Sequence, residues 1–275
     1  MLTCTRLVSR FFSNARHRGS LPQQLGVVWD QLLKPDPEGP TLIFHAAYPH
    51  DWSVHDELPS VCACSTPNPK KFGYNGIKGG MSGVSFVVGW IYAHSPDTER
   101  LIKGPYNPDT KKSWDPILAE LAGFNKNVVL TPGNAGTLDM LNRGEIAMGP
   151  VWVDMFYTWQ NEGKIPPGVK LKLIGPGMPG QPMYYVVPAK AANAKAAEEF
   201  IALATSPKVQ ADGILKCFNW YPGNDAAAVK PQLDEASWSK LFVDVTPEDL
   251  AAKGKPFPIV PYFNDILESY ERKVQ

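Results

Sequence analysis

Histidine and acidic side chains in the first quarter of the chain include the donor types that metal ions prefer. His45, His50 and His55 recur every five residues, with Asp51 and Asp56 beside them. A five-residue spacing places side chains neither on one face of a helix nor on one face of a strand. The sequence therefore predicts no metal site in this stretch.

The motifs of common catalytic sites are absent from the sequence. The chain contains no G-x-S-x-G, no H-E-x-x-H, no P-loop and no G-x-G-x-x-G between a strand and a helix. Cys62 and Cys64 form a C-x-C pair without a histidine or cysteine partner at zinc-finger spacing. We therefore expect no catalytic residues, no cofactor and no enzymatic activity.

A glycine-rich turn offers chemistry of another kind, the binding of an anionic group. Residues 79–83 (Gly-Gly-Met-Ser-Gly) stand directly before an apolar helix predicted over 84–94. Free backbone N–H groups and the helix dipole at such a point suit a carboxylate or a phosphate. Gly80, Ser82 and Gly83 are therefore candidate ligand contacts. The alternative is a plain tight turn in which Ser82 caps the helix.

Aromatic and acidic residues provide a second group of candidates. The face of the Trp152 ring is negative and can stack on a sugar or a cation, and Asp154 can hold an ammonium or a hydroxyl group. Trp220 and Tyr221, in the aromatic loop 219–223, can form a wall of a cleft. Core packing is the alternative for the rings, and a stabilising position in the first helical turn is the alternative for Asp154.

Two further candidates end a short predicted strand over 72–75. Tyr74 and Asn75 occupy its last positions. Side chains at the ends of strands in open α/β sheets commonly line binding crevices. Both residues are therefore candidate ligand contacts.

Strands alternate with helices from Lys71 onward, and these elements must position the candidates. Predicted strands cover 72–75, 128–130, 145–150, 169–174 and 183–187. Predicted helices cover 84–94, 114–121, 135–142, 151–160, 194–204, 206–217, 235–242, 247–253 and 262–273. This alternation predicts an α/β fold with a mixed sheet, flanking helices and further helices at the C-terminal end. Earlier in the chain only 41–44 resembles a strand.

Charge and hydropathy indicate neither nucleic-acid binding nor a transmembrane helix. The 27 basic residues balance the 27 acidic ones, so no basic excess indicates nucleic-acid binding. No run of about 18 apolar residues predicts a transmembrane helix. Residues 1–20 are rich in arginine and lack a continuous apolar core, so they do not show a secretory signal and are closer in composition to an organelle transit peptide.

Three stretches together resemble the second half of the family 1 extracellular solute-binding proteins of ABC importers, the type II periplasmic binding proteins. They are residues 71–83, 137–154 and 184–201, the last followed by 205–210. Their order and spacing carry the resemblance, which covers about residues 70–225.

The resemblance implies two α/β lobes joined by a hinge, with a small polar solute held between them. It also implies delivery of the solute to an ABC permease, a periplasmic location and a monomer, and it places Trp152 and Asp154 at the cleft. Polyamine, sugar, thiamine and phosphate-ester solutes all remain open. A transferase-like enzyme on the same bilobal fold and a non-functional fragment are the alternatives.

Three regions follow from the abrupt change of pattern near Asn68. Residues 71–178 form the second α/β lobe, and residues 179–275 form a return strand and C-terminal helices. Residues 1–70 lack the alternating first strands of the family. We therefore hypothesise that they are a remnant of the first lobe, truncated or disrupted by a change of reading frame.

Overall fold

The computed structural model describes residues 42–46, 69–180, 184–218, 220–223, 226–241 and 243–274, with only the backbone described for 42–46. Outside this part of the chain lie His50, Asp51, His55, Asp56, Cys62 and Cys64, together with most of the segment 1–70, position 219 of the aromatic loop and positions 183 and 242 of two predicted elements.

The described part contains a five-stranded sheet and a separate strand pair. The strands are β1 (Leu42–Ala46), β2 (Phe72–Tyr74), β3 (Val128–Leu130), β4 (Met148–Trp152), β5 (Lys170–Lys172), β6 (Met178–Pro179) and β7 (Gly254–Lys255). The five-stranded sheet has the order β3-β2-β4-β1-β5. Strand β2 is parallel to β3 and β4, whereas β1 is antiparallel to β4 and β5. The sheet is therefore mixed, as predicted.

Helices connect these strands and form most of the C-terminal part. They are α1 (Met81–His94), α2 (Thr98–Lys103), α3 (Asp115–Asn125), α4 (Asn134–Asn142), α5 (Val153–Asn161), α6 (Ala194–Ala204), α7 (Pro207–Val209), α8 (Lys216–Phe218), α9 (Ala226–Val229), α10 (Glu235–Leu241), α11 (Pro247–Lys253) and α12 (Val260–Lys273). Two 3-10 segments, Pro108–Trp114 and Lys230–Gln232, and a π-helical segment, Gln210–Leu215, complete this set.

Helix α1 forms the centre of the core. It is apolar on all sides, and its residues from Ser82 to Tyr92 are all buried, which is typical of a helix enclosed by other elements. It contacts β4, β6, α3, α4 and α12. Strands β2 and β4, which end at the candidate residues Tyr74 and Trp152, therefore both pack on this buried helix.

The C-terminal end of the chain returns to this core. Strand β7 pairs in parallel with β6, and α12 packs on α1 and α3. The buried face of α12 includes Tyr262, Ile266 and Tyr270. Helix α11 begins with a capping box in which Thr246 and Asp249 satisfy each other's backbone N–H groups. The last segment therefore packs on the same buried helix α1 as the five-stranded sheet.

Three predicted elements differ from the structure. The strand predicted over 145–150 lies at Met148–Trp152, so Trp152 ends the strand instead of following it. Ser82, considered above as a helix cap, lies inside α1 with Gly80 at the cap position, because its hydroxyl group bonds to Asn75 and Asn134 instead. Residues 184–187 belong to no described strand.

Candidate functional site

A buried group of polar side chains fixes the glycine-rich turn to the sheet. The Asn75 amide donates to the Gly80 carbonyl at 3.0 Å and to the Asn134 side-chain oxygen at 3.2 Å. The Ser82 hydroxyl lies 2.7 Å from the same Asn134 oxygen and also contacts the Asn75 oxygen. Because Asn75 and Ser82 are fully buried, these bonds satisfy groups whose burial alone would be unfavourable. We call Asn75, Ser82 and Asn134 the polar triad.

The glycines of the turn allow the close approach of backbones that this arrangement needs. A Cβ at Gly83 would overlap the carbonyl oxygen of Asn75. Gly80 has φ 144°, a conformation that other L-residues rarely adopt. The turn therefore brings the first turn of α1 directly against the end of β2.

A second helix begins beside this turn. The N–H of Thr131, after β3, donates to the Tyr74 carbonyl of β2 at 2.9 Å. Helix α4 then begins at Asn134, whose side chain belongs to the polar triad. The N-termini of α1 and α4 thus meet at one edge of the sheet, where the triad joins them.

Tyr74 lies in the core. Its hydroxyl donates to the Asn125 side-chain oxygen at 3.0 Å and lies 2.7 Å from the Tyr270 hydroxyl. Burial raises the pKa of Tyr74 well above its usual range, and Tyr270 adds to this effect. The side chain therefore links β2 to α3 and α12, and its hydroxyl group is bonded within the core.

The second group of candidates meets at the start of α5. Trp152 ends β4 and is 9% exposed, and Asp154 lies part-buried in the first turn of α5. The Trp220 side chain lies close enough to the Asp154 carboxyl group to lower its pKa. Burial raises the pKa of Asp154, and backbone N–H groups at the helix start partly oppose this rise. The fold thus brings Asp154 and Trp220 into contact, although they are far apart in sequence.

Further aromatic and acidic residues lie next to this contact. Tyr221 is 3% exposed, and burial raises its pKa well above the usual value, with Tyr157 and Asp244 adding to the rise. The Asp244 carboxylate accepts from the Leu171 N–H at 3.2 Å. Tyr157 and Asp244 were not among the sequence-derived candidates, because no short motif connects positions so distant along the chain.

The candidates therefore form two groups with different properties. In the glycine-turn group, Asn75 and Ser82 are enclosed and bonded to each other. In the Asp154 group, carboxyl and aromatic side chains meet, and Asp154 and Trp220 retain part of their exposure. A carboxylate beside the face of an aromatic ring favours the binding of a positively charged group.

Among the residues that the structure describes, no group of three or more His, Cys, Asp or Glu side chains could hold a metal ion. No helix in the same residues is long and apolar enough to cross a bilayer.

A family model described as bacterial extracellular solute-binding protein matches residues 43–243. The match begins before the region 70–225 that carried the resemblance above, and it includes most of β1. No curated protein matches the chain significantly.

Solved structures of low sequence identity share the fold. An extracellular solute-binding protein from Bordetella parapertussis has a TM-score of 0.62 at 13% identity, over 86% of this chain and 66% of its own. An ABC transporter protein from Clostridium perfringens has a TM-score of 0.59 at 17% identity, over 86% and 69%. A periplasmic thiamin binding protein has a TM-score of 0.52 at 14% identity, over 91% and 70%. The chain thus spans about two thirds of the length of these proteins.

Proposed function

The chain belongs to the bacterial extracellular solute-binding protein family, and from this premise we propose that it binds a small polar solute between two lobes and delivers it to the permease of an ABC importer. In this proposal the protein acts in the periplasm. The family consists of solute-binding proteins and not of enzymes, in agreement with the expectation from the sequence motifs.

The contact between Asp154 and Trp220 supports a solute that carries an ammonium group or another organic cation. Asp154 is part-buried, and its pKa is raised mainly by burial. Among the described residues, no cationic side chain contributes to the pKa of this carboxyl group. A carboxylate that has lost water without gaining a cation binds a cationic ligand favourably.

The aromatic rings of the site support the same class of solute. Trp220 is part-exposed beside the carboxyl group, and Trp152 ends the preceding strand. The face of an indole ring attracts a cation, with a gain of about 0.5–2 kcal/mol according to exposure. Among the structures that share the fold, the thiamin-binding protein binds a cationic compound. The Asp154 group therefore fits polyamines and thiamine better than sugars or phosphate esters.

A thermal-shift screen of the full chain tests the proposal. The panel contains spermidine, putrescine, thiamine, glucose and glycerol 3-phosphate. A cation at about a hundred times its Kd should add about 2.7 kcal/mol to the free energy of unfolding, and Trp220 should change its fluorescence in the same titration. A shift of the unfolding midpoint produced only by glucose or glycerol 3-phosphate would contradict the proposal that the solute is a cation.

Two variants identify the residue responsible. Asp154→Asn should weaken binding of the active cation by about tenfold or more, because a buried charge pair loses one partner. Glu248→Gln is the matched control, because Glu248 is an exposed carboxylate in the first turn of α11. Equal affinities for these two variants would exclude Asp154 as the cation contact.

A further inference from the structure

A buried glutamine joins the start of a helical segment to the loop that follows its end. Helix α7, the π-helical segment Gln210–Leu215 and α8 follow one another without a break, and the aromatic loop comes next. Gln210 begins the π-helical segment and is 3% exposed. A π-helical segment is rare and is frequently found at a functional site. Burial of an amide side chain is unfavourable unless it is hydrogen-bonded, so the partners of Gln210 show what it holds.

Both ends of the Gln210 amide are bonded, and the two bonds lead to different elements. The amide nitrogen donates to the Ala204 carbonyl, at the end of α6, at 2.8 Å. The amide oxygen accepts from the Gly223 N–H, at the last position of the aromatic loop, at 2.8 Å. Because one bond is donated and the other accepted, an ionised carboxylate loses one of them and an apolar side chain loses both. Gln210 thus connects the end of the loop to the end of α6.

The beginning of the loop is held by weaker contacts. The Trp220 N–H donates to the Ile214 carbonyl of the π-helical segment at 3.4 Å, which is long for such a bond. The Trp220 ring packs on the Phe218 ring at the end of α8, with the centroids 5.6 Å apart. Gly223 is exposed, so its N–H would bond to water if the Gln210 oxygen were absent. The shorter bond to Gln210 therefore favours one conformation of the loop over others.

This loop brings Trp220 to the Asp154 group. Trp220 is part-exposed beside Asp154, and Tyr221 is buried with Tyr157 and Asp244 nearby. Gly223 follows Trp220 by only three residues, so a movement at Gly223 changes the position of the Trp220 ring relative to Asp154. A displacement of about 1 Å is enough to make a binding site too loose.

We propose that Gln210 is a positioning residue of the solute site, whose amide fixes the aromatic loop so that Trp220 meets the same cation as Asp154. Gln210 does not touch the solute in this role and acts through the loop. The role rests on the cationic solute proposed above. A loop that is already ordered binds more tightly than one that must be ordered on binding, because the entropy cost has been met in folding.

The variant Gln210→Met tests this role, because it removes both bonds and keeps an unbranched side chain. Calorimetric affinity for spermidine or thiamine, whichever binds the wild type more tightly, should fall about fivefold through the loss of one loop bond. Amides of 220–223 should exchange about fivefold faster in hydrogen exchange followed by mass spectrometry. An affinity within about twofold of the wild type, or unchanged exchange in the loop, would overturn the proposal.

The matched control Tyr262→Phe removes a similar pair of bonds elsewhere in the core. The buried Tyr262 hydroxyl accepts from the Asn107 N–H at 2.8 Å and donates to the Pro105 carbonyl at 3.1 Å. The control should lower the free energy of unfolding but leave the solute affinity and the exchange of 220–223 unchanged. Equal losses of affinity in Tyr262→Phe and Gln210→Met would mean that general destabilisation weakens binding, and would refute a specific role for Gln210.

A third variant, Gln210→Glu, separates the two bonds. An ionised carboxylate still accepts from the Gly223 N–H but cannot donate to the Ala204 carbonyl, and its burial lowers stability. Gln210→Glu should therefore be less stable than the wild type, yet amides of 220–223 should exchange as slowly. Fast exchange in this variant would show that the bond to Ala204 holds the loop, contrary to the proposal.

Failure of the solute proposal and failure of the role of Gln210 give different results. If neither spermidine nor thiamine binds the wild type, the cationic solute is refuted and the role of Gln210 falls with it. If one of them binds the wild type and Gln210→Met equally well, only the role of Gln210 is refuted.

Discussion

Gly83→Ala should strongly destabilise the protein because of the position of one added methyl group. Gly83 lies in the first turn of α1, where a Cβ would overlap the Asn75 carbonyl oxygen and lie 2.9 Å from the Gly76 carbonyl oxygen. Both obstacles are backbone atoms, so no change of rotamer can relieve the overlap. The end of β2 and the start of α1 would have to move apart.

The cost follows from two effects in this turn. Overpacking of a rigid site costs about 1–3 kcal/mol. Movement of the turn also strains the bonds of Asn75 and Ser82, each worth about 1 kcal/mol. The expected loss is about 3–5 kcal/mol, out of roughly 5–15 kcal/mol for a typical protein. For a protein of this size the midpoint of thermal unfolding should fall by about 10 °C.

The same substitution at Gly123 is a control with the opposite sign. Gly123 is exposed in α3, and an added Cβ would meet no atom within 4 Å. Alanine in a helix is more stable than glycine by up to about 1 kcal/mol, so Gly123→Ala should stabilise the protein slightly. Urea unfolding followed by far-UV circular dichroism measures both changes. A Gly83→Ala variant within about 0.5 kcal/mol of the wild type would refute the close packing of this turn.

Three further predictions concern the triad and two kinds of titrating group. Asn134→Ala should lower the free energy of unfolding in urea by about 2 kcal/mol, because it removes two part-buried hydrogen bonds. Asn142 is exposed, so Asn142→Ala should change it by less than about 0.5 kcal/mol. Equal losses for the two variants would show that the polar triad does not stabilise the fold. Burial raises the pKa of Tyr74 and Tyr92 above the usual value of 10.0. The unfolded chain therefore loses these protons at lower pH than the folded protein, and the free energy of unfolding should fall as pH rises above about 10. Tyrosinate absorbance from all tyrosines before the protein unfolds would contradict this. Burial also raises the pKa of Asp154, so the folded state holds this proton more tightly than the unfolded chain. Stability relative to Asp154→Asn should therefore improve as pH falls from 7 towards about 4, and a pH-independent difference between their unfolding midpoints would exclude this effect.

Elements whose limits depend on local signals were predicted well. The bounds 194–204 and 247–253 agree with α6 and α11. Strand β4 was displaced in the prediction because pairing with β1 sets its end, and its partner residues lie far earlier in the chain. The strand predicted over 183–187 pairs with no described strand.

The two groups of candidate site residues also differ in how far a local sequence pattern indicates their position. Trp152 and Asp154 were chosen because the family resemblance places the segment after a buried strand at the cleft, and their role as ligand contacts stays a prediction. The roles of Tyr74 and Asn75 depend on Tyr270 and Asn134, which no local pattern connects to them. Core and surface positions of a polar side chain are therefore decided by contacts over long sequence separations.

The position of β1 has a consequence for biosynthesis. Among the described strands this one is made first, yet it lies inside the sheet between β4 and β5. At about 5–20 residues per second, the ribosome completes β4 roughly 5–20 s after β1. Until then neither of its two described partner strands is complete, so a chaperone, or transient contacts of the nascent chain, would keep this segment from pairing elsewhere.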